Sequence, residues 1–185
     1  SKAYGDCKAL ANYMYSILKE AGIPSWYTLI RAGKNAGYIT DDFPSQQFNH
    51  VILSVPLQKD TMWLECTSQT IPAGYLGDFT CDRYALLIDE TGGHLVRTPK
   101  YGMKENVEIR NIKATLDDEA TLKIKAETTY GGLQQDDYHD LITSLSKDKV
   151  KEALHEQLDF ATYEIKDFNY KENKSWLPTI DESLD

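Results

Sequence analysis

One amphipathic helix followed only by strand-like segments constrains the first half of this chain more than any other feature. Leu10, Tyr13, Met14, Ile17, Leu18 and Ala21 recur at helical spacing across Asp6–Ala21. Asp6 suits the N-cap, and Gly22 with Pro24 supplies a stop. The period then changes to two. SWYTLIR (25–31), FNHVILSV (48–55) and TMWLECT (61–67) read as strands. Tyr84–Asp89 and His94–Thr98 read as a hairpin around Glu90-Thr91-Gly92-Gly93. A single helix can bury its apolar stripe only against the sheet those strands form, so the fold class is α+β, a helix on an antiparallel sheet.

The stretch TPKYGMKE (98–105) marks a change of pattern. Val107–Ile112 and Ala120–Tyr130 read as strands around a turn at Asp117-Asp118. Asp136–Leu145 and Lys147–Leu158 read as two short helices, and Phe160–Tyr170 as a strand. The tail 171–185 is polar and is expected to be loosely held. The reading is a first domain over 1–99 and a β-rich second domain over 106–185.

The net charge is −9, from 29 acidic and 20 basic residues, and the lysines are scattered among acids. That disfavours nucleic acid and an anionic membrane surface as partners. No apolar run approaches the ~20 residues of a membrane span, and no signal peptide is visible. The three cysteines, Cys7, Cys66 and Cys81, are too few for a disulfide scaffold, and the absence of a C-x-x-C spacing disfavours a zinc site. Cys66 and Cys81 could pair in an oxidising compartment.

Cys7 falls in the first turn of the helix, where unpaired N–H groups and the helix dipole favour thiolate. Gly5 lets the backbone before it turn tightly. On position alone Cys7 fits a nucleophile and a small packing residue equally well. Of the four histidines, His94 sits in a turn, and His139 and His155 fall in polar helical stretches expected to be solvated. His50 lies in an apolar strand. Alternation puts His50 with Phe48, Ile52 and Ser54, and Glu65 with Thr61, Trp63 and Thr67. If Pro56–Lys59 form the turn, Val55 pairs with Asp60 and His50 stands directly opposite Glu65, with Cβ atoms ~5 Å apart. Cys7, His50 and Glu65 then form a nucleophile, base and orienting carboxylate. Trp26, Tyr27, Tyr38, Trp63 and Tyr75 could line a groove, although most of them suit core packing. Tyr38 and Trp63 are the substrate-binding candidates.

GDCKALANYMYSILKEAGIPSWYTLIR, FNHVILSVPL and MWLECTSQTIPAGYLGDF together resemble the cysteine, histidine and acidic segments of the transglutaminase-like (papain-type) superfamily. The match runs over about 3–99 in the family's order. The third triad member in that family is more often Asp, where this chain has Glu65. The resemblance implies a thioester acyl transfer at Cys7, with hydrolysis of a peptide or amide favoured over amine crosslinking. It implies no cofactor and no metal, and no calcium-loop pattern is present. The family core begins well before its cysteine, so the resemblance implies a fragment that is weak or inactive alone. Related bacterial envelope proteins carry a β-rich domain after the core, implying a periplasmic or cell-surface setting. The alternatives are an inactive binding or scaffolding module and an accessory protein whose second segment grips an envelope partner.

Overall fold

The computed structural model describes residues 4–185. The chain divides into two compact units, Ser1–Tyr101 and Gly102–Asp185, with the change inside the TPKYGMKE stretch. The architecture is α+β with two antiparallel sheets.

The first unit holds α1 (Cys7–Glu20), β1 (Trp26–Ile30), β2 (His50–Pro56), β3 (Thr61–Leu64), β4 (Tyr84–Asp89) and β5 (Gly92–Arg97). Asp6 caps α1 by accepting the Ala9 N–H at 2.9 Å, which satisfies a donor the helix cannot use. Gly22 ends it with φ +72°, a conformation cheap only for glycine. The Ile23 N–H then returns to the Leu18 carbonyl, a Schellman-type closure.

The strands form one antiparallel sheet in the order β3-β2-β1-β4-β5. α1 packs on one face through Ala11 against Val51 and Leu53, with Met14, Leu18, Tyr27, Leu29 and Leu64 around them. Thr28, Ile30, Ile52 and Ser54 alternate to the other face and are completely buried. Thr28 and Ser54 share a hydrogen bond there, which removes the cost of burying two hydroxyls. β2 is therefore buried on both sides, and its residues read as a nearly unbroken apolar run.

The β2–β3 register differs from the expected one. Pro56 pairs with Thr61, and Val55 with Met62. The turn is Leu57–Asp60, closed by the Leu57 N–H on the Asp60 carbonyl. Moving a four-residue turn along by one position shifts the pairing by two. A two-residue shift keeps every side chain on its original face, whereas a one-residue shift would invert them.

The second unit holds β6 (Glu108–Leu116), β7 (Leu122–Gly131), a 3-10 turn (Gly132–Gln135), α2 (Asp136–Ser144), α3 (Lys147–Gln157), β8 (Phe168–Asn173) and β9 (Thr179–Leu184). Its sheet order is β6-β7-β9-β8. Val150, Leu154, Ile165 and Phe168 form its core, with Leu141 and Leu184 against them. The tail is not loose: β9 is an inner strand paired on both sides. Ile180 is fully buried, and the buried Glu182 accepts from the hydroxyls of Tyr130 at 3.2 Å and Tyr170 at 2.7 Å. Burial pushes both hydroxyls up, so they stay protonated donors. The strand expected at Phe160–Tyr170 begins only at Phe168, because Ile165 instead turns into the core. His139 is not solvated either. It is buried on α2, with Nδ1 on the Glu172 carboxylate of β8.

Candidate active site

Each of the three expected triad residues lies at the end of an element. Cys7 opens α1, His50 opens β2, and Glu65 is the first residue past β3. The short link Ala21–Ser25 folds β1 back along α1, and β2 runs antiparallel to β1. α1 and β2 thus run the same way, and both begin at one end of the sheet. Glu65 leaves the β3 ladder at that end too.

His50 and Glu65 meet. Both carboxylate oxygens lie on His50 Nε2, at 3.0 and 2.9 Å. The two side chains are only 8% and 7% exposed. The shifted register sets how they meet. The ladder stops at Leu53–Leu64, and its continuation would put Glu65 opposite Ile52 rather than His50. Glu65 reaches His50 on the diagonal, a span of ~7–8 Å between backbones that needs a long side chain. Thr67 also holds the carboxylate, its N–H donating at 3.0 Å and its hydroxyl at 2.5 Å to Oε1. Burial opposes the charge on Glu65, but the bonds from His50 and Thr67 outweigh it and hold the carboxyl below the ordinary glutamate range. An ionised carboxylate only accepts, so the proton between them belongs to Nε2, and Nδ1 is the basic nitrogen of the neutral ring.

The Phe79 ring stands edge-on to the imidazole, with centroids 5.4 Å apart. Its loop is tied to the base of the 32–47 loop. The Phe79 carbonyl accepts from Gly33 N–H at 2.9 Å. The Arg83 guanidinium donates to the carbonyls of Arg31, Gly33, Asp78 and Cys81. Neither Phe79, Thr67 nor Arg83 stands out in the sequence. Thr67 was readable only as a same-face neighbour of Glu65.

Cys7 is placed differently. It packs with Cys66 against Ala11, Val51 and Leu53, on the α1 face of the sheet, while alternation turns His50 to the other. No hydrogen bond joins Cys7 to His50 among the described residues. Gly5 has a packing duty: a Cβ there would lie 2.7 Å from the Ala9 Cβ, so only glycine lets the entering chain lie against the first turn. All three cysteines are free thiols. Burial, with the Glu65 charge alongside, pushes the Cys66 thiol up to about 11, which makes it a poor nucleophile at neutral pH. Trp63 is 5% exposed and Tyr38 is 71% exposed. Trp63 therefore belongs to the core of β3, and Tyr38 stands open to solvent in the 32–47 loop. His94 is held on the surface by Asp89 and Thr91.

Among the described residues no group of three or more acidic, histidine or cysteine side chains is arranged to hold a metal ion. No helix there is long and apolar enough to cross a membrane. Scans against protein-family models, curated proteins and solved structures returned no match to this chain.

Proposed function

We propose that the first unit carries a transglutaminase-like cysteine acyl-transfer site, with Cys7 as nucleophile, His50 as base and Glu65 as the carboxylate that orients it. The observation that carries the reading is the buried His50–Glu65 pair. A carboxylate fixed on Nε2 makes Nδ1 the proton acceptor. The thiol proposed for it is Cys7, at the first turn of α1. Cys66 is disfavoured because its proton is held too tightly.

In the proposed reaction His50 Nδ1 takes the Cys7 proton as sulfur attacks a carboxamide carbon. The imidazolium formed is stabilised by Glu65 and gives its proton to the departing amine. Water then cleaves the thioester, with His50 again as base, to release the acid and regenerate the thiol. The N–H of Cys7, at the start of α1, would bind the oxyanion. The substrate class is a peptide or amide, with hydrolysis favoured over amine transfer, and the setting proposed is the bacterial cell envelope.

The test is the rate of iodoacetamide labelling at Cys7 near pH 7, read peptide by peptide. Assembly of the pair predicts labelling faster than that of an ordinary exposed thiol and slowed at least about tenfold by His50→Ala. A rate indifferent to His50 would favour the second reading, a binding module that keeps the fold without the chemistry. The specific observation behind that reading is the seating of Cys7 on the α1 face, away from His50.

A further inference from the structure

We infer that Thr67 is a positioning residue of this site, and that it makes a glutamate usable in the place of the orienting carboxylate. The inference rests on the reading of His50 and Glu65 as base and orienter. A glutamate has one more rotatable bond than an aspartate, and from a position past the end of β3 it has no ladder neighbour to fix its backbone. Left to itself, such a carboxylate would sample solvent as readily as the imidazole. Thr67 removes that freedom. Its N–H and hydroxyl both converge on Oε1, while the His50 Nε2–H donates between both oxygens. The carboxylate is thus gripped between a donor pair two residues along its own chain and a ring from the neighbouring strand.

The grip is local in sequence and independent of the sheet. The chain turns at Cys66 and Thr67 immediately after β3, which brings the Thr67 N–H back over the Glu65 side chain. Thr67 itself is exposed, and among the described residues it makes no other hydrogen bond that would tie it into the core. Its two bonds serve Glu65. No hydrogen bond joins Thr67 to Cys7 among the described residues, so its effect on chemistry runs through the carboxylate and then the ring.

The test compares Thr67→Val with Thr67→Ser in the full chain. Valine keeps the shape and the N–H but loses the hydroxyl; serine restores it. The first readout is the His50 Nε2–H proton by NMR, assigned by its loss in His50→Ala. It is expected as a sharp downfield signal in the wild type and in Thr67→Ser, and broadened by exchange with water in Thr67→Val. The second is Cys7 labelling, expected to slow about five- to tenfold in Thr67→Val and to recover in Thr67→Ser. An unchanged Nε2–H signal in Thr67→Val overturns the inference, as does a serine variant that behaves like valine. If the signal responds as expected while Cys7 labelling ignores both His50 and Thr67, the positioning role stands and the acyl-transfer reading falls.

Discussion

Glu65→Asp is the sharpest perturbation of the proposed site, because it installs the acid more common in the family the sequence resembles. Aspartate is shorter by one carbon–carbon bond, about 1.5 Å. Glu65 spans a diagonal, not a direct pair, so the backbone cannot simply supply the missing length. The contact to Nε2, now 2.9 Å, would open to roughly 4.4 Å, beyond any hydrogen bond. A hydrogen bond to a charged group contributes about 1.5–3 kcal/mol, so its loss converts to roughly 10- to 150-fold in the stability of the thiolate–imidazolium pair. Thr67 would keep an acceptor, since Asp89 takes the same two bonds from Thr91, at 2.8 and 2.7 Å, so the loss falls on the His50 contact alone. The assay is the second-order rate of Cys7 alkylation at pH 7, with circular dichroism confirming the fold. The expected result is a fall of at least tenfold in Glu65→Asp, comparable to Glu65→Gln, which keeps the length and loses the charge. Labelling of Glu65→Asp within twofold of wild type would refute the diagonal-reach argument.

Three further outcomes follow from the same structure. At pH 7 the folded chain should label at Cys7 and not at Cys66, whose thiol at about 11 leaves only about one part in ten thousand as thiolate; peptide mass spectrometry before and after denaturation checks this. Because the folded Glu65 carboxyl lies below its unfolded value of ~4.3, its contribution to stability is complete above that pH and disappears as pH falls through the folded value. Urea melts of the wild type should therefore lose more stability between pH 5.5 and pH 3 (roughly the span that matters) than those of Glu65→Gln. Ile180→Ala removes most of a fully buried side chain from an inner strand and should cost about 2–5 kcal/mol in a denaturant melt of the second unit; a loss under ~0.5 kcal/mol would restore the picture of a loose tail.

Elements whose determinants are local in the chain were readable in advance. Asp6, Gly22 and Pro24 mark both ends of α1 because caps are made by residues next to the helix. The faces of β2 and β3 followed from alternation, and the contact between His50 and Glu65 survived a register error because that error was an even number of residues. Long-range pairing defeated the reading elsewhere. The polar sequence of β9 conceals an inner strand, since Glu182 is satisfied by Tyr130 and Tyr170 from the two strands beside it. His139 reads as a solvated helix residue until Glu172, 33 positions away, is brought against it. β6 extends to Leu116 with every residue exposed, so no burial pattern marks where it ends.

The pleat of β2 makes the position of Cys7 the deciding matter. A thiol in the middle of α1 would be separated from His50 by the whole thickness of the sheet, because α1 covers the Val51 and Leu53 face and His50 turns to the other. Residues at element ends escape that constraint. His50 is the first residue of β2, with no ladder residue before it in β2 to wall off its ring, and Cys7 is the first of α1. An imidazole and a thiol so placed can meet only past the edge where the sheet begins, and with Nε2 committed to Glu65 the ring can offer only Nδ1. Moving the thiol along α1 should therefore abolish the pairing: Cys7→Ser with Lys8→Cys, one residue on, or with Ala11→Cys, one turn on, would give a thiol whose labelling is blind to His50→Ala. A His50-dependent thiol at position 11 would show that the face of the sheet, and not its end, is where the chemistry is assembled.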